Sequence, residues 1–553
     1  MARSSWTSPS LVRPAVASDA PHVARTSATR SDSPVDLASR SASRSCSNDA
    51  SVSPRSRRTM PIVWCASDAT AASSVVARTV SARLRAPAGS ANRVRSSSSA
   101  SSRSTIPSLP IPRRAVPIPC PAKRGSASVG HMAGDWKIGS DQRRRTTDQL
   151  RQFRRANDGA VAWDTEAPAD FTFLYHPDRV LVRAEHADEF EEAVSRIDGL
   201  LKDAPQREAA LLDGALLRYT LPPRARGESV AEVLDLLESE GALTPGRVSP
   251  DHWVHVSPQG GSLCPAIEPL ETGLTKPWPA DSWQERGDEV SVVVVDTGWH
   301  PPAGSDLRTP WLKGVEGDDE HNGPDLRQYA GHGTFIAGVV RCIAPRTSIF
   351  VEGFAVDGLG GGGVLESDLV IQLEEALKHE PRVINLSAGC RTRQDLPPIA
   401  LDVFHTTRLR RRDCVLVAAA GNDSTSAPFW PAAFDWAVGV GSLDRDGRVS
   451  AYSNFGVSAD VYALGRNLVN AFPDGTFVCR ETPDKDDVRV FSTGMARWSG
   501  TSFAAPVVAG LIALEISLNG SSARDAADAV LARSVYDSDP GVGPIQVLGP
   551  PYS

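Results

Sequence analysis

Gly500-Thr501-Ser502-Phe503-Ala504-Ala505-Pro506 runs directly into Val507-Val508-Ala509-Gly510-Leu511-Ile512-Ala513-Leu514, and the reading of this stretch decides the fold. A small, hydroxyl-bearing turn opens onto a segment that is apolar on every side, the pattern of a helix buried all round. Pro506 is expected in the first turn, where its missing N–H costs little. Ser502 then stands at the positive N-terminal end of a buried helix, a place suited to a developing negative charge. Alone, such a serine reads as the N-cap of a core helix. Two segments upstream change that reading.

Ser291-Val292-Val293-Val294-Val295-Asp296-Thr297-Gly298 is a short β-branched run with an acid at its end, a buried parallel strand by pattern. Functional side chains of α/β sheets gather at that end of their strands. Gly331-His332-Gly333-Thr334 opens a helical stretch from Phe335 to Ala344. At these three points the chain resembles the subtilisin-like serine proteases, whose acid, histidine and serine motifs read D-[TS]-G, G-H-G-T and G-T-S-x-A-x-P. The chain order Asp, His, Ser is also that of subtilisin. The resemblance covers roughly residues 289–535. It implies an α/β fold, a parallel sheet with helices on both faces. It also implies a serine endopeptidase acting on polypeptides through an acyl-enzyme. Ser502 would be the nucleophile, His332 the general base and Asp296 the residue that orients it.

Two further segments carry the resemblance. Ala418-Ala419-Ala420-Gly421-Asn422-Asp423 is similar to the family's A-A-G-N segment, which makes Asn422 the implied oxyanion donor. Ile384-Asn385-Leu386-Ser387-Ala388-Gly389 is similar to its I-N-M-S-L-G strand. Ser387, Ala388 and Gly389 are therefore the implied substrate-binding positions, with Gly360 to Gly363 as the opposite rim. Ala388 replaces the family's frequent Leu. Phe335 replaces the histidine that usually follows G-H-G-T, a change expected to alter packing and not chemistry.

Charge divides the chain sharply. Residues 1–131 hold 19 Lys or Arg against 5 Asp and no Glu, so a segment at +14 precedes a remainder at −21 in a chain of net charge −7. The segment is rich in Ser, Ala, Arg and Pro without amphipathic period, and reads as a disordered basic arm. It has neither interleaved aromatics nor a folded module, which argues against nucleic acid as a partner. The switch in composition at Met132 suggests a start site assigned too far upstream. Neither Met1 to Ala20 nor Met132 to Phe153 reads as a secretory signal, and no run approaches 18 uninterrupted apolar residues. No membrane partner is expected. The localisation expected is cytoplasmic, with export by an unrecognised route as the alternative.

Residues 132–170 read as a linker. Between 171 and 258 the pattern is β-α-β-β-α-β, a small α+β domain of the ferredoxin-like kind. Arg179 to Ala184 alternates as a strand, and Asp213-Gly214 marks a hairpin turn after the poor strand former Ala209 to Leu212. Ser229 to Glu232 forms a capping box, and Trp253 to Val256 is the last strand. By order and position this unit resembles the pro-domain preceding many subtilisin-like catalytic domains, which implies an intramolecular chaperone or inhibitor. Residues 259–288 are a connector, and 289–553 the peptidase domain.

The acidic stretch Glu316, Asp318, Asp319, Glu320, His321 and Asp325 matches no defined calcium loop and reads as solvated. Of the cysteines beyond Met132 (Cys264, Cys342, Cys390, Cys414 and Cys479) none forms a C-x-x-C pair, so no metal site is expected. Cys342 and Cys414 read as core residues. No cofactor is required, and calcium has no support in the sequence. The competing reading is a catalytically silent subtilisin-like scaffold that binds proteins, against which all four chemical positions are filled.

Overall fold

The computed structural model describes residues 140–166, 170–197, 200–222, 228–255, 267–273, 275–277, 289–354, 363–480 and 484–548. The basic arm, most of the connector and the glycine run up to residue 362 lie outside the described residues.

The first surprise falls in the expected linker. Ser140–Ala156 is a helix, α1, followed by a short strand β1 (Ala162–Trp163). Leu150 and Phe153 on one side of α1 join Val161, Phe171, Leu174 and Trp253 in a small apolar cluster. The stretch is polar overall because only one face is covered.

Beyond it come β2 (Leu174–Arg183), α2 (Ala187–Arg196), β3 (Gln206–Leu211), β4 (Leu216–Thr220), α3 (Val230–Ser239) and β5 (Val248–His255). The strands form the run β5-β2-β4-β3 of a six-stranded sheet, in which β1 also pairs with β2 and the later strand Gly363–Leu365 pairs with β5, every neighbour antiparallel. The capping box is present: Ser229 Oγ accepts from Glu232 N–H at 3.2 Å, and the Glu232 carboxylate accepts from Ser229 N–H at 2.6 Å. The hairpin loop runs from Leu212 to Ala215 with the expected Asp213-Gly214 at its middle, so it is longer than the two-residue turn expected, and Leu212, Asp213 and Gly214 all lie at positive φ. Ala209 and Ala210 do form strand, because cross-strand pairing with Arg218 and Leu217 outweighs their weak propensity.

After β6 (Leu270–Glu271), the second and larger part begins with β7 (Val290–Asp296). It continues through β8 (Glu316–Gly317), β9 (Asp325–Leu326), α4 (His332–Ile343), β10 (Thr347–Gly353), β11 (Gly363–Leu365) and α5 (Glu366–Ala376). Then follow β12 (Val383–Leu386), α6 (Ile399–Thr407), β13 (Val415–Ala419), β14 (Ala437–Leu443) and β15 (Val461–Leu464). Four strands, β16 (Leu468–Ala471), β17 (Gly475–Val478), β18 (Val488–Phe491) and β19 (Met495–Trp498), precede α7 (Thr501–Asn519), α8 (Ala523–Ala532) and the hairpin β20 (Val535–Asp539) and β21 (Gly543–Val547).

The main sheet has the order β20-β21-β15-β14-β13-β12-β7-β10-β8, and its pairings are parallel except β20 with β21. Alternate side chains of β7 serve opposite faces. Val292 and Val294 pack with α4 and α7, whereas Val293 and Val295 pack with α5 and α6. Both faces are covered, which is why the strand reads as an unbroken apolar run. This is an α/β fold with a parallel sheet between two layers of helices.

Helix α7 is long and apolar enough to cross a bilayer, yet it is packed in the core of this fold. Pro506 is its sixth residue and so lies past the first turn, not within it as expected. Among the described cysteines, Cys342, Cys390 and Cys479 are buried free thiols, while Cys414 is only half-buried.

Candidate active site

The C-terminal edge of the parallel sheet gathers the residues that the resemblance implies as catalytic. Asp296 ends β7, and its Oδ1 accepts from the Thr297 N–H at 2.8 Å and from His332 Nδ1 at 2.6 Å. Both side chains are wholly buried. His332 is the first residue of α4, so the Gly331 turn that starts the helix also aims the ring. Trp498 meets the imidazole edge-on at 5.4 Å between centroids, and Phe503 lies at 5.3 Å. Phe335 packs on those same two rings at 5.8 and 4.8 Å, extending the apolar wall behind the histidine.

Ser502 is the second residue of α7, and its Oγ donates to the Ser387 carbonyl at 3.4 Å. His332 Nε2 is buried and has no hydrogen-bond partner. The geometry is therefore a resting one, with the Asp–His half assembled and the serine hydroxyl turned to the neighbouring strand end. A missing serine–histidine bond does not argue against a catalytic pair in a protein without substrate.

Pro506 explains part of this arrangement. In a helix its absent N–H would have bonded the carbonyl four residues back, that of Ser502. The orphaned carbonyl accepts instead from Ser387 Oγ at 2.8 Å, and Ser387 Oγ in turn accepts from Asn385 Nδ2 at 2.9 Å. The proline thus ties the serine-bearing turn to the end of β12. Asn422 is held similarly: its Oδ1 accepts from Thr501 N–H at 2.8 Å and Thr501 Oγ1 at 3.0 Å. With Oδ1 engaged, Nδ2 is the end of the amide that faces away from Thr501.

Of the implied substrate positions, Ser387 and Ala388 are buried, and Gly389 exchanges both backbone hydrogen bonds with His255, each at 3.1 Å. His255 ends β5 and pairs on its other side with Gly363 of β11. The last residue of β5 is therefore held between the two strand edges taken as cleft rims. Phe153 of α1 packs edge-on to His255 at 6.1 Å. Both ring nitrogens of His255 are unpartnered, and burial pushes its pKa down to about 3, so the ring is neutral. Gly360 to Gly362 lie outside the described residues.

The acidic loop departs from expectation. Glu320 is buried, with its carboxylate accepting from Gly331 N–H at 3.0 and 2.8 Å. Asp318 accepts from Gly353 N–H at 2.9 Å. The acidic composition suggested solvation, and nothing in the local pattern marks which carboxylate turns inward. Among the described residues no cluster of three or more His, Cys, Asp or Glu could hold a metal ion.

Residues 287–548 match the model of the subtilase family. That segment is a subtilase domain. The subtilase domain is 31% identical over 244 residues to the "Thermophilic serine proteinase" of Bacillus sp. (strain AK1), spanning 40% of this chain and 51% of that one. It is 30% identical over 247 residues to "Halolysin" of Haloferax mediterranei, spanning 43% of each chain. The chain thus spans about half the length of these relatives. Among solved structures, fervidolysin from Fervidobacterium pennivorans is 17% identical at a TM-score of 0.46, covering 68% of this chain and 60% of that one.

Proposed function

We propose that this chain is a serine endopeptidase whose subtilase domain cleaves polypeptides through an Asp296-His332-Ser502 triad. The observation that carries the reading is the fully buried Asp296–His332 pair at 2.6 Å, on the sheet edge where α7 presents Ser502. In the reaction His332 Nε2 takes the Ser502 proton as Oγ attacks the scissile carbonyl, then returns it to the leaving amine. Asp296 holds the tautomer and stabilises the imidazolium. The oxyanion forms between backbone N–H groups at the start of α7 and Asn422 Nδ2. Substrate adds as a strand along Ser387-Ala388-Gly389. Ser502→Ala should fold normally, lose peptidase turnover and lose labelling by a fluorophosphonate. Undiminished turnover in that variant would sink the assignment, and a silent scaffold would leave the native serine unlabelled.

We further infer that residues 171–258 are a ferredoxin-like pro-domain, acting as an attached chaperone and inhibitor. Its support is the β5-β2-β4-β3 antiparallel order together with the double hydrogen bond of His255 to Gly389, which a substrate strand would make.

A further inference from the structure

One buried carboxylate near this site has no role in the reaction described. Glu320 is 2% exposed. The Arg327 guanidinium donates to the Glu320 carbonyl oxygen, and its charge favours the ionised carboxylate. Burial pushes its pKa up to about 7, against hydrogen bonds that pull it down. A buried carboxylate held this way subtracts from stability at alkaline pH.

Its partners show what it holds. Both oxygens accept from Gly331 N–H, the residue before His332, and Asn322 Nδ2 donates at 2.6 Å. The Thr297 hydroxyl, one residue after Asp296, is hydrogen-bonded to it as well. Thr297 Oγ1 also accepts from Gly333 N–H at 3.2 Å, one residue after His332. Gly298 is what lets the loop approach. It sits at φ +114°, and a Cβ there would lie 3.0 Å from the Asp318 carbonyl oxygen and 3.3 Å from Glu320 Cβ. The carboxylate therefore spans the turn after the acid and the turn before the histidine. It also lies at the N-terminal end of α4, where the helix dipole favours an anion.

We propose that Glu320 is a positioning residue that sets the Asp296–His332 geometry by tying their two segments together. The inference rests on the triad reading. A carboxylate can accept from Gly331, Asn322 and Thr297 at once. A protonated acid loses one acceptor and gains a donor, so the three bonds it now receives must rearrange. Near-attack geometry is sensitive to displacements of about 1 Å, which can cost on the order of a hundredfold. The ionisable groups on the elements packed around Glu320 are Asp318, Asp319, His321 and Arg327 of its own loop, Asp296 of β7, His300 beyond it, His332 of α4 and Glu352 of β10.

The test compares the native full chain with Glu320→Gln and Glu320→Asp, normalising rates to sites counted by fluorophosphonate titration. Unfolded molecules do not label, so a purely structural role changes the count and not the rate per site. The expected result is a kcat per labelled site about ten- to a hundredfold lower in Glu320→Gln, with KM within about twofold and Glu320→Asp intermediate. The acid limb of kcat/KM should require more than one proton in the native chain and one proton in Glu320→Gln. A third variant keeps the carboxylate: Asn322→Asp, by like-charge repulsion, should move the acid limb to higher pH. Native kcat per site in both Glu320 variants, or an acid limb unmoved in Asn322→Asp, overturns the proposal. Failure of the native chain to label would instead sink the triad reading.

Discussion

Asn422 is oriented at its oxygen by Thr501. Thr501 supplies two donors to Oδ1, a backbone N–H and a hydroxyl, so the donor end of the amide is set before any substrate arrives. Such preorganisation is what gives an oxyanion donor its value, because no reorientation is needed as charge develops. Asn422→Ala should leave binding nearly intact and lower kcat by about a hundred- to a thousandfold, a magnitude taken over from the loss a subtilisin shows without its own oxyanion asparagine. Steady-state kinetics check this, and a loss confined to KM would count against the role. Asn422 stood out in the sequence because Ala419-Ala420-Gly421-Asn422 resembles the family's A-A-G-N segment. Glu320 did not, because one inward-facing acid among five is chosen by the path of the loop and not by local composition.

At the scale of the element, α7 combines two constraints that the apolar run alone does not reveal. The helix is buried all round, which its composition announces. Its sixth position is proline, which removes the helical donor to the Ser502 carbonyl. Ser387 Oγ satisfies that carbonyl and so couples the end of β12 to the nucleophile turn. Ser387→Ala should cost about 1–3 kcal/mol of stability, since it leaves a buried acceptor unmet. Pro506→Ala restores the N–H and hence the helical bond. In that background the cost of Ser387→Ala should shrink, and a double-mutant cycle on denaturant midpoints measures the difference. Equal costs in both backgrounds would mean that the carbonyl finds another partner.

The whole molecule is held together by a buried polar seam between its two parts. Arg218 of β4 donates to Ser367 Oγ at 2.9 Å and to Asp368 at 2.8 Å. Arg393 bonds the Glu238 carboxylate of α3 at 3.0 and 2.6 Å. His252 Nε2 accepts from Arg393 N–H at 3.2 Å, so its Nδ1–H is the donor to Glu366 at 3.3 Å. Asp251 of β5 accepts from Ser367 N–H and Oγ at 3.1 and 2.7 Å, and burial with Glu366 and Asp368 nearby pushes its pKa up to about 7. In the separated domain that carboxyl returns toward its ordinary value, so docking takes up a proton. Affinity is then fully present below about pH 4 and is lost as pH rises toward 7, by up to about tenfold per unit. Residues 171–258, added as a separate polypeptide to residues 285–553 carrying Ser502→Ala, should bind more tightly at pH 5 than at pH 7. Asp251→Asn should flatten the dependence. Calorimetry checks both; absence of binding would refute the pro-domain reading, and pH-independent binding would refute the part assigned to Asp251.

The sequence by itself determined the parallel sheet and where on it the implied site residues stand. A β-branched run ending in Asp296, a helix opened by His332 and a buried helix opened by Ser502 are local patterns, each readable from its own few residues. The order of strands and helices before residue 258 was legible for the same reason, down to the Ser229 capping box. Only the tertiary structure decided what depends on residues far apart in the chain. It turned Glu320 inward under two loops, and it matched the Ser387 hydroxyl to a carbonyl freed by Pro506. It packed α1 against Trp253 in a stretch whose polarity suggested no fold, and it set His255 against Gly389. Periodicity records which face of an element avoids water. It carries no record of which distant group will meet a particular buried donor or acceptor, because that pairing exists only once the chain has closed.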